Sequence, residues 1–295
     1  IDLKETNEDL SGNFQGIGVE FNLTRDTVNV TYVIKGGPSD VAGIHIGDQI
    51  LKVNDIALTG MNSAKIKNAI RGERGSKALL QILRNNSLQT ITVVRGNIPT
   101  PSVVAAYMID KVTAYLKLDK FSSTSYREFM ENMDSLKKLG MKDLIFDLRG
   151  NGGGYMEQAV EIADEFLDGD KLIVYTEGTN SAKREYRCKR PGIFEQGKLA
   201  ILVDGLSASA SEIVAGALQD WDRATIIGRR TFGKGLVQEI FELSDGAALK
   251  LTVSRYYTPL GRSIQKSYAA GKKVYMDEVW ERYANGQAFF ADSNK

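Results

Sequence analysis

The spacing of apolar residues changes character near residue 97. Before that point the period is two. Gly16-Ile17-Gly18-Val19-Glu20-Phe21 and Val28-Asn29-Val30-Thr31-Tyr32-Val33-Ile34 read as strands, and Gly36-Gly37-Pro38 punctuates the turn after them. A helical turn over 39–42 leads to the strand Gln49-Ile50-Leu51-Lys52-Val53, an Asn54-Asp55 turn, and a helix with Ile66 and Ile70 inward. Strands at 79–83 and 90–94 then make a hairpin around Asn85-Asn86. This describes a small β-rich domain over 13–96. The polar residues 1–12, with Glu5, Glu8 and Asp9, are expected to form a loosely ordered lead-in.

Asn97-Ile98-Pro99-Thr100-Pro101 reads as a stiff boundary, and beyond it strands alternate with helices. A strand at 115–118 precedes a helix over 125–139, and Asp143-Leu144-Ile145-Phe146-Asp147-Leu148 is the next strand. Gly150-Asn151-Gly152-Gly153-Gly154 follows it and opens a helix carrying Ala159, Val160, Ile162, Ala163, Phe166 and Leu167. Strands at 172–175 and 199–203 flank a polar loop or hairpin over 177–197. After a helix through Trp221 come Ala224-Thr225-Ile226-Ile227-Gly228 and two strand-like runs at 237–243 and 248–257. The second domain, 97–270, is therefore α/β. The segment 271–295, with Trp280, Tyr283, Phe289 and Phe290, is amphipathic but weakly patterned.

Composition narrows the chemistry more than the fold. At 295 residues the chain can bury substantial cores, and its 38 basic and 37 acidic residues are interspersed, so no nucleic-acid footprint exists. The single cysteine, Cys188, lies in a polar stretch and reads as an exposed thiol, without a disulfide or a thiol-rich metal site. The single histidine, His45, falls in the first domain, so a Ser-His-Asp triad would have to borrow it across domains. No run reaches the roughly 18 apolar residues of a membrane span. A start on Ile1-Asp2-Leu3-Lys4 suggests a processed or truncated chain.

Candidate chemistry gathers where the strand at 199–203 ends in Asp204-Gly205-Leu206-Ser207-Ala208-Ser209-Ala210-Ser211-Glu212. Ile213, Val214, Ala217, Leu218 and Trp221 trace the apolar face of the helix that follows, so the serines sit at a strand-to-helix junction. Free N–H groups and the positive helix end there suit an oxyanion or a polar cap. Glu212, three residues after Ser209, has capping-box spacing. The cluster lacks the final glycine of a Gly-x-Ser-x-Gly elbow, so a nucleophile here needs a base other than histidine. A lysine serves only when neutral, its ordinary pKa near 10.4 lowered by burial or positive neighbours. Lys234, between two glycines and beside Phe232, is either such a lysine or a solvated turn residue.

Two glycine motifs fail on inspection. Gly228-x-x-x-x-Gly233-Lys234 has P-loop spacing, yet Gly235 replaces the hydroxyl residue that binds magnesium and a strand follows instead of a helix. Gly150-x-Gly152-x-Gly154 carries Tyr155 where a dinucleotide fingerprint needs glycine, though its N–H groups can approach a substrate closely.

The Gly-Ile-Gly loop and the series Gly36-Gly37-Pro38-Ser39 and Ala42-Gly43-Ile44-His45-Ile46-Gly47-Asp48-Gln49-Ile50-Leu51-Lys52-Val53-Asn54 resemble PDZ domains. Asp147-Leu148-Arg149-Gly150-Asn151-Gly152-Gly153-Gly154, Ser207 through Asp220, and Thr231-Phe232-Gly233-Lys234-Gly235-x-Val237-Gln238 resemble the carboxyl-terminal processing proteases, S41-type Ser-Lys peptidases. The resemblance implies a crotonase- or ClpP-like α/β protease core plus a β-rich PDZ domain. It implies Ser209 as nucleophile, Lys234 as general base and Gln238 as the residue orienting the lysine, with Ser207 and Ser211 as flanking serines. Residue types alone do not choose among the three serines. The oxyanion would be held by the Ala210 N–H and one from Gly153 or Gly154, and a peptide would add as a strand at Gly16, Ile17, Gly18 and Val19.

By the same resemblance, the partners are proteins with apolar, poorly structured C-terminal tails, and neither metal nor cofactor is needed. The location implied is a bacterial envelope, periplasmic or extracytoplasmic, reached through a segment preceding this chain; a homo-oligomer is compatible with it. Two rivals share the scaffold: a catalytically silent ligand- or peptide-binding protein, and a PDZ adaptor.

Overall fold

The computed structural model describes residues 11–242, 248–269 and 271–286. The lead-in expected over 1–10 and the aromatic pair Phe289-Phe290 lie outside them. The chain divides into a unit of Asn13–Thr100 and a second made of residues 11–12 and the chain from Pro101 on.

In the first unit the strands Val19–Thr24, Thr27–Val33, Gln49–Val53, Lys77–Arg84 and Ser87–Val94 form one antiparallel sheet in that order. Asn85 and Asn86 both have positive φ, as a two-residue hairpin turn with right-handed twist demands. The alternation seen in the sequence places Val28, Val30, Ile50, Val53, Leu80 and Ile82 in the core, closed by Ile66 and Ile70 of the helix Ser63–Ile70. Gly96–Pro99 pairs with Asn13–Gly16, so half of the stretch expected to be a turn-rich boundary is a strand of this unit. Its proline is tolerated because it stands at the end of a two-stranded ribbon.

The second unit is built on a five-stranded sheet in the order Thr225–Gly228, Leu199–Val203, Asp143–Asp147, Thr113–Leu118 and Val103–Met108. The first four run parallel and the last is antiparallel. The helices Ser125–Lys138, Met156–Asp164 and Ala210–Asp220 supply the rest of its core. Phe146 stands at the centre, with Phe129 and Phe166 at ring distances of 5.7 and 5.8 Å. A second, antiparallel sheet orders Ser181–Arg187, Leu172–Gly178, Ala248–Tyr257 and Leu236–Glu242. No helix among the described residues is long and apolar enough to cross a membrane.

One expectation is overturned here. Cys188 is buried, not exposed: the 177–197 stretch forms the strand Ser181–Arg187, and the Cys188 N–H bonds to the Lys171 carbonyl, which seats the thiol in the core. Burial, with Asp164 beside it, pushes that thiol up to about 12, so it stays protonated and inert. His45 is exposed in the first unit, and its backbone N–H bonds to Asp48 at 2.8 Å.

Phe146→Ala should destabilise the second unit by about 3–5 kcal/mol, because it empties the middle of a fully buried ring cluster. Both tryptophans, Trp221 and Trp280, belong to this unit, so urea unfolding followed by their fluorescence reports on it alone. A loss below about 1 kcal/mol would contradict that packing.

Candidate active site

Parallel strands deliver their C-terminal ends to one edge of a sheet, and loops leaving adjacent strands there must meet. Asp147 is paired in register with Leu202, so the glycine loop after one strand and the serine segment after the other emerge side by side. They are stitched together. The Asn151 carbonyl accepts the Ala208 N–H at 3.0 Å and the Ser211 hydroxyl at 2.9 Å, and the Gly150 N–H donates to Asp204 at 3.1 Å. Thr225–Gly228 adds to the same edge, and the chain leaving it crosses the serines, with the Phe232 N–H on the Ser207 carbonyl at 3.0 Å. Three motifs far apart in sequence thus reach one place.

The structure distinguishes the three serines that residue types could not. Ser207 donates its hydroxyl to the Leu148 carbonyl at 2.8 Å, and Ser211 donates to Asn151; both are fully buried. Their hydroxyls are committed to the main chain. Ser209 stands at the start of the helix Ala210–Asp220 with φ 55° and ψ −113°, a conformation costing about 1–3 kcal/mol for a residue with a Cβ. Its hydroxyl faces the phenol of Tyr256, which burial pushes up to about 12 and which therefore stays protonated.

Glu212 organises the site. Its carboxyl is buried and accepts four donors: the Ser209 N–H at 2.8 Å, the Lys234 N–H at 2.8 Å, the Gly233 N–H at 2.7 Å and the Thr231 hydroxyl at 2.7 Å. The bond to Ser209 is the glutamate half of a capping box, as the spacing predicts. The other three were not visible in the sequence, because they come from a loop some twenty residues on. One oxygen, Oε2, receives the amides of both Ser209 and Lys234, so the serine and the lysine turn are tied through a single atom.

Lys234 is half-buried, and that burial holds its ammonium below the ordinary lysine pKa. The charge of Lys250 pushes in the same direction and that of Glu212 opposes. Among the described residues no direct hydrogen bond joins Ser209 to Lys234. Gln238 lies exposed on the edge strand Leu236–Glu242 and makes no hydrogen bond to Lys234 among the described residues.

The glycines divide their work. A Cβ on Gly153 would stand 2.8 Å from the Ser209 Cβ and 3.0 Å from the Ala210 nitrogen, so only glycine allows this approach. Its own N–H is committed to the Asn151 side chain at 2.9 Å. Gly154 presses on Phe121, where a Cβ would stand 2.1 Å from the carbonyl oxygen. The Gly153 carbonyl and the Tyr155 N–H both bond to Phe121, so the intervening Gly154 N–H faces away from it. The N–H groups of Ala210 and Gly154 have no acceptor among the described residues. In the first unit, Gly16, Ile17 and Gly18 lead into Val19–Thr24, which is the edge strand of its sheet.

Replacing Glu212 by Ala should cost roughly 3–5 kcal/mol in urea unfolding, since it strands one buried and two part-buried N–H groups around the serine and the lysine turn. Thr231→Ala removes one donor and should cost no more than about 1.5–3 kcal/mol. Equal losses in the two would mean that Glu212 is not the shared anchor.

Comparison with known proteins places the chain. The sequence profile of Peptidase family S41 matches residues 112–272, and that of the PDZ domain matches residues 15–94. Carboxy-terminal processing protease CtpA of Bacillus subtilis (strain 168) is 36% identical over 264 residues, which cover 89% of this chain and 56% of that protein. A carboxyl-terminal-processing protease of Picosynechococcus is 35% identical over 263 residues, covering 87% and 63%. The solved structure of a photosystem II D1 C-terminal processing protease aligns with a TM-score of 0.54 at 29% identity, over 87% of this chain and 71% of that one. The chain spans between half and two thirds of the length of the two curated relatives. On the profile, the identities and the α/β core behind a β-rich domain together, this chain belongs to peptidase family S41.

Proposed function

We propose that the chain is the PDZ and catalytic part of a carboxyl-terminal processing endopeptidase, with Ser209 as nucleophile and Lys234 as general base. The observation that carries this reading is the Glu212 anchor: one carboxyl oxygen binds the amides of both residues. Supporting it, Ser209 alone of the three serines does not donate its hydroxyl to a main-chain carbonyl among the described residues.

In this reaction the Ser209 Oγ attacks the carbonyl carbon of a peptide bond while its proton passes to the neutral Lys234 amine. The tetrahedral oxyanion is held by the Ala210 N–H and a glycine N–H. Gly154 is the better donor of the two glycines, because the Gly153 N–H is already bonded to Asn151. Collapse of the intermediate breaks the C–N bond, the leaving amine takes its proton from the lysine, and water then releases the acyl group by the same route in reverse. Burial of Lys234 matters because only the neutral amine can accept the first proton. The direct Ser209–Lys234 bond is of the kind that substrate-free sites commonly tighten only on binding. Gln238, carried by the strand Leu236–Glu242, would orient the lysine.

The PDZ domain would take a substrate's C-terminal tail as an added strand on Val19–Thr24, with the Gly16-Ile17-Gly18 loop at the carboxylate. An extracytoplasmic place in a bacterial envelope belongs to the same reading and is supported by the family resemblance and the bacterial relatives.

Wild type should fragment a loosely folded protein with an apolar tail, and Ser209→Ala and Lys234→Ala should each lose at least about a thousandfold in rate, read by mass spectrometry. Cleavage surviving in both variants would remove the dyad; tail binding without cleavage by wild type would favour the silent binding protein. Rate should rise with pH as Lys234 loses its proton. Lys250→Gln removes a neighbouring charge that lowers the lysine pKa, so this limb should move to higher pH.

A further inference from the structure

Gly233-Lys234-Gly235 presents a lysine on a turn whose two neighbours have no side chains, so no neighbouring side chain within the turn holds it. Cavities adjoin it on both sides, one of about 320 Å³ reaching Gly233 and one of about 710 Å³ reaching Leu236; Gln265 lines both. The turn lies close against the 265–266 segment, where a Cβ on Gly235 would stand 2.4 Å from the Gln265 nitrogen, and its peptide groups are held by hydrogen bonds.

Those bonds form a closed circuit. The Gly235 N–H donates to the Gln265 Oε1 at 2.9 Å. The Gln265 Nε2 donates to the Lys266 carbonyl at 2.8 Å and to the Tyr275 hydroxyl oxygen at 3.2 Å. That hydroxyl donates in turn to the Gly233 carbonyl at 3.2 Å, which also accepts the Lys266 N–H at 3.0 Å. With Glu212 on the Lys234 N–H, both peptide planes that meet at the Lys234 Cα are held from outside the turn. Tyr275 belongs to the helix Lys272–Ala284, and its ring is itself fixed, stacked on Tyr268 at 4.2 Å and edge-on to Phe232 at 5.8 Å, with the Lys266 ammonium 4.1 Å from its centre. No motif in the sequence pointed to either residue.

We propose that Gln265 and Tyr275 are positioning residues for Lys234: by fixing the peptide planes on either side of it they fix the direction in which its side chain leaves the turn, and they make the helix Lys272–Ala284 part of the apparatus that sets catalytic rate. This rests on the Ser209–Lys234 reading. It goes beyond that reading in assigning control of the base to a segment far from the serine in sequence.

The test uses the whole chain with β-casein as substrate and a fluorophosphonate probe that labels an active serine. Wild type and Lys234→Ala set the range; wild type that neither cleaves nor is labelled at Ser209 overturns the peptidase reading and this inference with it. In an active protein, Gln265→Ala and Tyr275→Phe should each lower kcat about ten- to a hundredfold with KM within about twofold, as expected when a base is displaced by an ångström or less. The double variant should be no slower than the slower single, because both act through one circuit. Gln265→Glu keeps an acceptor for Gly235 but sets a carboxylate by the turn. The surrounding groups, Glu212 from the serine helix, Lys250 and Tyr256 from one strand, and Lys266 and Tyr275, stay unchanged. The alkaline-rising limb of kcat should move to higher pH, which a loss of folded protein would not cause. With wild type active, rates within twofold for both single variants overturn the positioning role. So do losses that track the folded fraction in thermal unfolding while the limb stays where it was.

Discussion

A buried carboxylate is costly unless its lone pairs are filled, and Glu212 fills them with the backbone of two other parts of the chain. That requirement shapes what lies around it. The Ser209 N–H points inward to reach it, from a residue with a left-handed φ. The loop 231–234 must turn back toward the helix start to present three more donors, which brings Lys234 with it. Each partner is a backbone group or a hydroxyl. A substitution at Glu212 would therefore leave several N–H groups without an acceptor at once, and Ser209 and the lysine turn would lose their common reference together.

The sheet makes this convergence cheap. Parallel pairing places the ends of the strands Asp143–Asp147 and Leu199–Val203 side by side, and the pairing of Thr225–Gly228 with the latter brings the third segment to the same edge. Where the loops touch, side chains are absent by necessity: at Gly153 against Ser209 and at Gly154 against Phe121, a Cβ would collide with its neighbour. The buried Asn151 ties the glycine loop down, donating to the Leu118 carbonyl and accepting the Gly153 N–H. The close approach of the glycine loop to Ser209 thus follows from the packing of three loops, without any residue being added for it.

Much of this was legible in the order of residues. Alternation in 28–34 and the apolar run at 199–203 gave the strands, because their periods are set by which faces the sheets bury. The capping relation of Ser209 and Glu212 is local and was read correctly. What escaped is non-local. Val103–Met108 was missed because only its pairing with Thr113–Leu118 makes it a strand, and Cys188 was misplaced because its polar neighbours face solvent while it alone turns into the core. Tyr256 falls within the strand-like run at 248–257, and nothing in the sequence singles out Gln265. Their proximity to the serine and the lysine comes from the second sheet folding back on the first, and no spacing in the sequence encodes it.

The general-base role proposed for Lys234 requires a neutral amine, yet Lys234 sits on a turn anchored to a carboxyl whose charge favours its ammonium form. The arrangement resolves this by what each group is bonded to. Glu212 holds the lysine by its backbone N–H, and its lone pairs are taken up by four donors at the positive end of a helix. A direct ion pair between the two side chains would have fixed the lysine as a cation. Burial, the leading influence, and the repulsion of Lys250 then prevail, and the pKa falls. Position is thereby supplied through the main chain and basicity through the side chain. The two requirements would be in conflict if one interaction had to meet both.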